Sequence, residues 1–178
     1  MELPNKRYQI IYADPAWSYE NKSLNRGGAA RHYVTMSDED IYNLPISNLA
    51  ENDAVLFLWT TFPKLQAGLD TVKAWGFEYK TCAFVWVKEN KKAKSWFWGM
   101  GRWTRSNAEI VLLATRGAGV ERMSASVHQI IQAPVGRHSE KPAIVREKII
   151  ELVGDLPRIE LFARQKATGW DSWGNEIC

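Results

Sequence analysis

The feature that most constrains the fold is a series of short apolar runs without polar alternation. They are YQIIYA (8–13), AVLFLWT (54–60), CAFVWV (82–87), EIVLLAT (109–115), a weaker VHQII (127–131), RIELFA (158–163) and the closing GWDSWGN. A strand that is apolar on both sides must be covered on both faces, as in a parallel sheet flanked by helices. The pattern therefore predicts a parallel-type α/β sheet, in which ligands bind at the carboxyl ends of the strands.

Amphipathic helical patterns separate several of these runs. Ser37 and Asp40 have the spacing of a capping box and predict a short helix that ends near Pro45. Prolines in the first turn and closing glycines predict two longer helices, over 63–76 and 142–154. The predicted inward positions are Leu65, Leu69 and Val72 in the first of these, and Val145, Ile149 and Leu152 in the second.

Length and composition predict a single domain over residues 1–178. The chain has 178 residues, no internal repeat and no long linker. No segment reaches the roughly 18 apolar residues of a membrane span, and the start lacks a signal-peptide core. We therefore expect a cytoplasmic protein. Two cysteines and three widely separated histidines give no disulfide framework and no metal-site signature.

Positive charge is concentrated in one stretch, 88–105. Its six cations stand against the single acid Glu89, a surplus of +5 where the whole chain has +3. The cations are Lys88, Lys91, Lys92, Lys94, Arg102 and Arg105, and the tryptophans in or beside them are Trp86, Trp96, Trp98 and Trp103. Cations interleaved with aromatics suit a polyanion whose bases offer faces for stacking. A solvated loop whose tryptophans pack back onto the core is an equally open alternative.

Directly after the first strand stand Asp14, Pro15 and Trp17. These residue types suit methylation of an exocyclic amine on an aromatic base. The lone pair of such an amine is delocalised into the ring, so acceptors that bind its N–H groups help free the pair for attack. Asp14 can accept one N–H, the carbonyl of Pro15 the other, and Trp17 can stack on the base. Taken alone, the segment is better explained as a strand that ends in an ordinary Asp-Pro turn.

Two further segments suit a nucleoside and an anion. Near the C-terminus, one strand leads into Phe162 and Arg164 and the next into Asn175 and Glu176, which offers an apolar wall for a base and polar groups for ribose hydroxyls. Taken alone, this segment is better explained as an edge hairpin. The polar segment 136–142 leads into a helix and suits a solvated cap or an anion-binding loop. Neither GxGxxG nor GxxxxGK[ST] occurs, so a dinucleotide or triphosphate is not supported.

Together these segments resemble the methyltransferase family typified by the catalytic subunit of the eukaryotic mRNA N6-adenosine methyltransferase, and still more its small phage and bacterial members. The matching pieces, in the family's order, are ADPAW (13–17), YVTMSDED (33–40), VLFLWTT (55–61), WGFE (75–78), FVWVK (84–88), RHSEKP (137–142), RIELFAR (158–164) and GWDSWGNE (169–176). The resemblance implies a circularly permuted Rossmann-like fold that uses S-adenosylmethionine, with the catalytic motif N-terminal and the cofactor strand C-terminal.

The resemblance also implies roles for individual residues. Asp14, Pro15 and Trp17 match the family's Asp-Pro-Pro-Trp tetrad, with Ala16 in place of its second proline, and Asp14 is expected to touch the cofactor as well. Lys141 matches a lysine near the methionine part of the cofactor. The residues expected around its adenosine are Phe162, Arg164, Asn175 and Glu176. Tyr33 resembles a tyrosine of the active-site loop near the methyl-transfer centre. Charge, and not the resemblance, predicts that Arg26, Lys91, Lys92, Lys94 and Arg102 also contact the substrate.

The expected function is therefore methyl transfer from S-adenosylmethionine to the N6 amine of adenine in a nucleic acid. DNA is preferred to RNA because the resemblance is strongest to phage and bacterial members. An RNA methyltransferase, an inactive nucleic-acid-binding member and a small-molecule methyltransferase are the alternatives. The intact Asp14 argues against an inactive member, and the cationic stretch 88–105 argues against a small-molecule substrate. We expect no membrane partner, and the residues specify neither a target sequence nor an oligomeric state.

Overall fold

Seven strands form one sheet in the computed structural model, which describes residues 2–19, 35–101, 103–136 and 140–177. The strands are β1 (Tyr8–Ala13), β2 (Ala50–Thr60), β3 (Glu78–Glu89), β4 (Glu109–Arg116), β5 (Ile130–Pro134), β6 (Arg158–Leu161) and β7 (Asp171–Trp173). Their order across the sheet is β5-β3-β4-β2-β1-β6-β7. The double-sided apolar runs therefore form strands, as predicted.

One strand, β4, runs against the other six. It pairs antiparallel with both β2 and β3, whereas the remaining pairs are parallel. The predicted parallel-type sheet is thus wrong at β4, and the sheet is mixed. The physical reason is the connection: parallel neighbours are usually joined through a helical crossover, and no helix is described in residues 90–108, which join β3 to β4.

Three α-helices lie in the described ranges: α1 (Asp38–Tyr42), α2 (Leu65–Ala74) and α3 (Ile144–Val153). The Ser37 hydroxyl accepts a hydrogen bond from the backbone N–H of Asp40 at 3.1 Å, which confirms the predicted cap of α1. Pro63 lies in a 3-10 turn, Phe62–Lys64, that precedes α2. None of these helices has the length and apolarity needed to cross a membrane.

The buried faces of the two longer helices differ slightly from those predicted. In α2 the fully buried residues are Ala67, Gly68, Thr71 and Val72, while Leu65 and Leu69 are only partly buried. A Cβ at Gly68 would lie 3.1 Å from the Thr60 hydroxyl, so the helix approaches the sheet through its small residues. In α3, Val145 and Ile149 are buried as predicted, and the third buried residue is Val153 rather than the predicted Leu152.

Apolar side chains cover both faces of the sheet, as the unalternated runs predicted. Ile11 and Leu56 belong to a cluster that includes residues of α2. Their chain neighbours Tyr12 and Phe57 belong to a second cluster that includes residues of α3. Successive strand residues point to opposite faces, so each apolar run contributes to both clusters.

The reversed direction of β4 determines which residues meet at one end of the sheet. Thr60, at the end of β2, pairs with Ile110 near the start of β4, and Ala13, at the end of β1, pairs with Leu161 at the end of β6. The carboxyl ends of six strands and the amino end of β4 therefore share one edge, which we call the carboxyl edge.

Candidate active site

Four charged side chains form a continuous chain at the carboxyl edge. The Lys141 Nζ lies 2.9 Å from Oδ1 of Asp14 and 3.3 Å from Oε2 of Glu109. The Lys88 Nζ lies 2.5 Å from the other oxygen of Glu109. Each of the four side chains is less than one-fifth exposed. Two carboxylates and two ammonium groups compensate one another, which makes their burial tolerable.

Burial and these neighbours set the pKa values of Asp14, Glu109 and Lys141. Burial raises the pKa of the Asp14 carboxyl above its ordinary value, and Lys141 offsets this only in part. Burial acts in the same direction on Glu109, but Lys141 and Lys88 together hold the pKa of Glu109 below its ordinary value. Burial alone would lower the pKa of Lys141, yet Asp14 and Glu109 raise it. Lys141 therefore stays cationic, Asp14 binds a proton more readily than an ordinary aspartate, and Glu109 binds one less readily than an ordinary glutamate.

A tight turn places Asp14 at the end of β1. The backbone N–H of Trp17 donates to the carbonyl of Pro15 at 2.8 Å. The indole N–H of Trp17 donates to the carbonyl of Trp59 at 3.2 Å, and its ring is packed in the core with 4% of its surface exposed. Trp17 thus fixes the turn that carries Asp14. Its stacking on a base stays a prediction, and in this conformation little of the ring is accessible.

Trp59 forms the floor under this ion-pair chain. Its indole N–H donates to the Tyr12 hydroxyl at 2.6 Å, and the Lys141 Nζ lies 5.4 Å from the centre of its ring. A cation over the face of an indole is stabilised by the ring quadrupole. The position of Lys141 is therefore set by two carboxylates and an aromatic face.

A cleft opens beside Asp14, between the ends of β1 and β6 and the start of α3. The residues that line it are Asp14, Glu140, Lys141, Arg146, Glu160, Phe162, Arg164, Gln165 and Glu176. Five of the six predicted cofactor residues lie in this lining. The sixth, Asn175, is exposed and lies outside it, next to Glu176. The Arg164 Nε is 3.7 Å from a carboxylate oxygen of Glu176.

The backbone turns sharply where β6 enters the cleft. Phe162 has φ of 60°, in the left-handed region that residues with a side chain seldom adopt. Its ring packs edge-on against Trp173, with 5.4 Å between ring centres. A Cβ at Gly174 would lie 2.3 Å from the carbonyl oxygen of Ala163, so only glycine allows the two strands to approach here. Such local strain is often concentrated at ligand sites.

Sequence reasoning missed a buried ion pair in the cleft wall. Arg146 donates two hydrogen bonds to Glu160, at 2.6 and 2.8 Å, and Glu160 is only 6% exposed. An acid within an otherwise apolar strand was the available signal, because a buried carboxylate requires a partner. Burial, and next to it the charge of Glu160, raises the pKa of Tyr12.

Sequence reasoning also missed Glu109. In a parallel sheet the start of β4 would lie at the edge opposite Asp14. The antiparallel pairing of β4 with β2 and β3 brings Glu109 to the carboxyl edge instead. The missing helix between β3 and β4 was the one signal that favoured this direction.

The predicted substrate residues are only partly within the described ranges. Tyr33, Arg26, Arg102 and the loop from Asn21 to His32 lie outside them. Lys91, Lys92 and Lys94 are exposed on the segment that follows β3. Their neighbours Trp96, Trp98 and Trp103 are exposed as well, so packing of these tryptophans onto the core is wrong. Trp86 alone is buried, with its indole N–H bonded to the carbonyl of Ala133.

The fold and the site define an α/β protein with a mixed sheet and a charged cleft at its carboxyl edge. The MT-A70 family matches residues 8–176. The chain therefore belongs to the MT-A70 family, and the family expected from the sequence is confirmed.

Individual relatives agree with this assignment. The chain is 37% identical to the Type II methyltransferase M.MunI of Mycoplasma sp, over 99% of this chain and 80% of the relative. It is 28% identical to the N(6)-adenosine-methyltransferase MT-A70-like protein of Drosophila melanogaster, over 96% of this chain and 27% of that protein. It is 26% identical to the human N(6)-adenosine-methyltransferase catalytic subunit METTL3, over 96% of this chain and 28% of that protein. The chain thus spans most of the bacterial relative and about a quarter of the two eukaryotic ones.

Proposed function

We propose that this protein transfers a methyl group from S-adenosylmethionine to the N6 amine of adenine in DNA. One observation carries the proposal: Asp14, which resembles the first residue of the family's Asp-Pro-Pro-Trp tetrad, directly follows β1 and lines a cleft with charges of both signs. The names of the relatives, which include N(6)-adenosine and N(6)-adenine-specific methyltransferases, support the same chemistry.

The donor set of the cleft fits S-adenosylmethionine. That molecule has an ammonium group, a carboxylate, a ribose and an adenine ring. Asp14 would hold the ammonium and Lys141 the carboxylate. Arg164 and Glu176 would bind the ribose hydroxyls, and Phe162 would provide an apolar face for the adenine. When bound, the cofactor supplies a methyl group activated by the positive charge on sulfur.

The chain's own contribution is to position and polarise the amine that is methylated. Asp14 accepts one N–H of the amine, and the raised pKa of its carboxyl makes it a better proton acceptor than an ordinary aspartate. The carbonyl of Pro15 accepts the second N–H. Although this oxygen already accepts from Trp17, a carbonyl has two lone pairs. Ala16 in place of the tetrad's second proline leaves the Pro15 carbonyl available.

We also propose that the fold is a circularly permuted Rossmann-like domain that occupies residues 1–178. β6 and β7 come last in the sequence but lie next to β1 in the sheet. The strands assigned to the cofactor therefore follow the catalytic motif in the chain while flanking it in space. Phe162, after β6, and Glu176, after β7, line the same cleft as Asp14.

Several observations favour DNA over RNA as the polymer. The Mycoplasma methyltransferase is more similar to this chain, and is matched over more of its length, than the relatives named as adenosine methyltransferases. Adenosine names a ribonucleoside, and no described residue identifies a contact to a 2′-hydroxyl. Lys91, Lys92 and Lys94 would bind the phosphate backbone of either polymer and therefore support a nucleic acid without selecting between the two.

The test is to incubate the protein with radiolabelled S-adenosylmethionine and, separately, duplex DNA, RNA and free adenosine, followed by nucleoside mass spectrometry. We expect N6-methyladenine in DNA, and calorimetry should show cofactor binding without DNA. Methylation of RNA alone would overturn the choice of DNA as the substrate. Efficient methylation of free adenosine would overturn the proposal that the substrate is a polymer. Cofactor binding without transfer to any substrate would identify an inactive member of the family.

A further inference from the structure

The segment that joins β3 to β4, residues 90–108, has more exposed large apolar side chains than any other segment of the described chain. We call this segment the tryptophan arm. Ten large apolar side chains are exposed in the described ranges, and four of them lie here: Trp96 (41% exposed), Trp98 (54%), Met100 (91%) and Trp103 (93%). Contiguous exposed apolar residues on a well-packed protein mark an interaction surface.

Hydrogen bonds hold the arm in a defined shape. The Asn107 side chain accepts from the backbone N–H of Lys88 at 2.8 Å and donates to the carbonyls of Lys88 and Phe97. The Arg105 guanidinium donates to the carbonyl of Gly99 at 3.0 Å. These bonds fix both sides of the arm, so its exposed side chains are presented outward with little further loss of entropy on binding.

The arm leaves the sheet next to the catalytic residue. Glu109, at its end, and Lys88, at its start, form the ion pair that continues through Lys141 to Asp14. The base of the arm and the cleft are therefore on the same edge of the sheet.

Charge identifies the kind of partner. Residues 90–108 contain no Asp or Glu, and Lys91, Lys92 and Lys94 flank the exposed tryptophans. A second copy of the chain that docked arm against arm would place like charges together. An anionic polymer that carries flat, stackable groups satisfies both the lysines and the aromatic side chains.

We propose that the tryptophan arm is a stacking wedge that enters the DNA duplex beside the target adenine. This inference rests on the proposed function. An adenine must leave the duplex to reach Asp14, and its departure opens a gap in the base stack. Trp103, the most exposed side chain of the arm, fills that gap, while Trp98 and Met100 pack on the flanking bases. The substrate class is thus duplex DNA from which a single base is extruded.

The experiment compares two substrates with the same sequence. One is a duplex that the wild-type protein methylates, and the other places an abasic position opposite its adenine, so that the base is already unpaired. We expect Trp103→Ala to lower kcat/KM on the paired duplex on the order of tenfold. We expect a smaller loss on the abasic duplex, because extrusion is easier there, and recovery of most activity in Trp103→Phe.

Met123→Ala is the matched control. Met123 is also well exposed (65%), but it lies beside the end of α3, away from the carboxyl edge. Loss of the Met123 side chain should leave kcat/KM unchanged on both duplexes. Equal losses on both duplexes in Trp103→Ala, or no loss on either, would overturn the wedge.

A binding measurement separates this proposal from the proposed function. Duplex DNA that contains 2-aminopurine fluoresces more strongly when that base is unstacked. We expect the wild-type protein to raise this signal and Trp103→Ala to raise it much less. If no methyl transfer is found but this difference is present, the function fails and the wedge stands. If methylation proceeds but Trp103→Ala unstacks the base as well as the wild type, the wedge fails and the function stands.

Discussion

The Nζ of Lys141 lies 2.9 Å from Oδ1 of Asp14, so the charge of the proposed catalytic carboxylate is coupled to a lysine from a distant part of the sequence. Lys141 also binds Glu109, which in turn binds Lys88 at the base of the tryptophan arm. The site is thus a chain of alternating charges, in which each member influences the ionisation of the next.

Replacement of Asp14 should remove methyl transfer and leave the fold intact. We expect both Asp14→Ala and Asp14→Asn to lower kcat at least on the order of 100-fold, because neither provides a carboxylate to polarise the amine. Lys141 retains Glu109 as a partner, so unfolding temperatures should change little. Cofactor affinity, measured by calorimetry, should fall by less than kcat. Turnover at the wild-type rate in either variant would contradict the catalytic assignment.

The pH dependence of kcat should reveal the coupling between Asp14 and Lys141. The reaction requires the ionised carboxylate, and the pKa of Asp14 is raised, so activity should be lost as the pH falls through a value above that of an ordinary aspartate. Lys141 lowers the pKa of Asp14, and Lys141→Met should therefore shift the acid limb to higher pH.

Lys88→Met also removes one positive charge, but from the end of the ion-pair series that is farthest from Asp14, and it serves as the control. Lys88 contacts Glu109 and not Asp14, so its loss should leave the acid limb close to that of the wild type. Profiles recorded at saturating cofactor would separate the two variants. An acid limb at lower pH in Lys141→Met would have the wrong sign for this coupling.

Glu109 should contribute to stability because it binds two buried cations. Glu109→Gln leaves Lys88 and Lys141 with less compensation, and we expect the free energy of unfolding to fall by about 1–3 kcal/mol. Glu78→Gln is the control, since Glu78 pairs with Lys80 on the surface and exposed pairs contribute little. Urea titrations would measure both variants. If the free energy of unfolding changes by close to zero in both variants, Glu109 does not stabilise the protein.

The lysines of the tryptophan arm should carry part of the salt dependence of DNA binding. Each phosphate contact contributes about 0.9 to the slope of log affinity against log salt, so replacing Lys91, Lys92 and Lys94 with Gln should flatten the slope by up to about 3. The effect should be alike for all sequences. Replacement of the exposed Lys73 and Lys80 is the control and should leave the slope unchanged. A triple variant with the wild-type slope would exclude the arm from the binding surface.

The strands that sequence predicts best are those buried on both faces. β1 spans Tyr8–Ala13, as its apolar run predicts. β5 spans Ile130–Pro134 rather than 127–131, because it is an edge strand in which Ile131 is buried and Ile130 is exposed. A strand covered on one face and paired on one side leaves a weaker pattern, and its bounds cannot be read from apolar residues alone.

The residues of a strand do not indicate the direction in which it runs in the sheet. The run at 109–115 is equally apolar whichever way it runs, so the position of Glu109 depended on pairing that only the structure defines. The residues that follow β1, β6 and β7 were predictable as neighbours, because the ends of parallel strands share one edge. The burial of Trp17 was not predictable, since it depends on a hydrogen bond to the distant Trp59 carbonyl and on packing in the cluster that includes residues of α2.

The final prediction concerns Gly174, which permits the close approach of β7 to the turn after β6. A Cβ at this position would lie 2.3 Å from the carbonyl oxygen of Ala163 and 2.7 Å from its nitrogen. Both atoms belong to the backbone, so no side-chain rotation can relieve the overlap. Gly174→Ala should therefore separate Glu176 from Phe162 and open the cleft, and we expect the Kd for S-adenosylmethionine to rise at least about tenfold, on the scale of a lost polar contact.

Gly76→Ala separates this effect from a general loss of stability. Gly76 has φ of 80°, and its nearest neighbouring atom would be 3.9 Å from an added Cβ, so the substitution introduces backbone strain of about 1 kcal/mol or more without a clash. Gly76 follows α2, away from the cleft, and its replacement should lower the unfolding temperature with cofactor affinity unchanged. Calorimetry on both folded variants decides the matter, because wild-type affinity in Gly174→Ala would mean that the cofactor does not bind between Phe162 and Glu176.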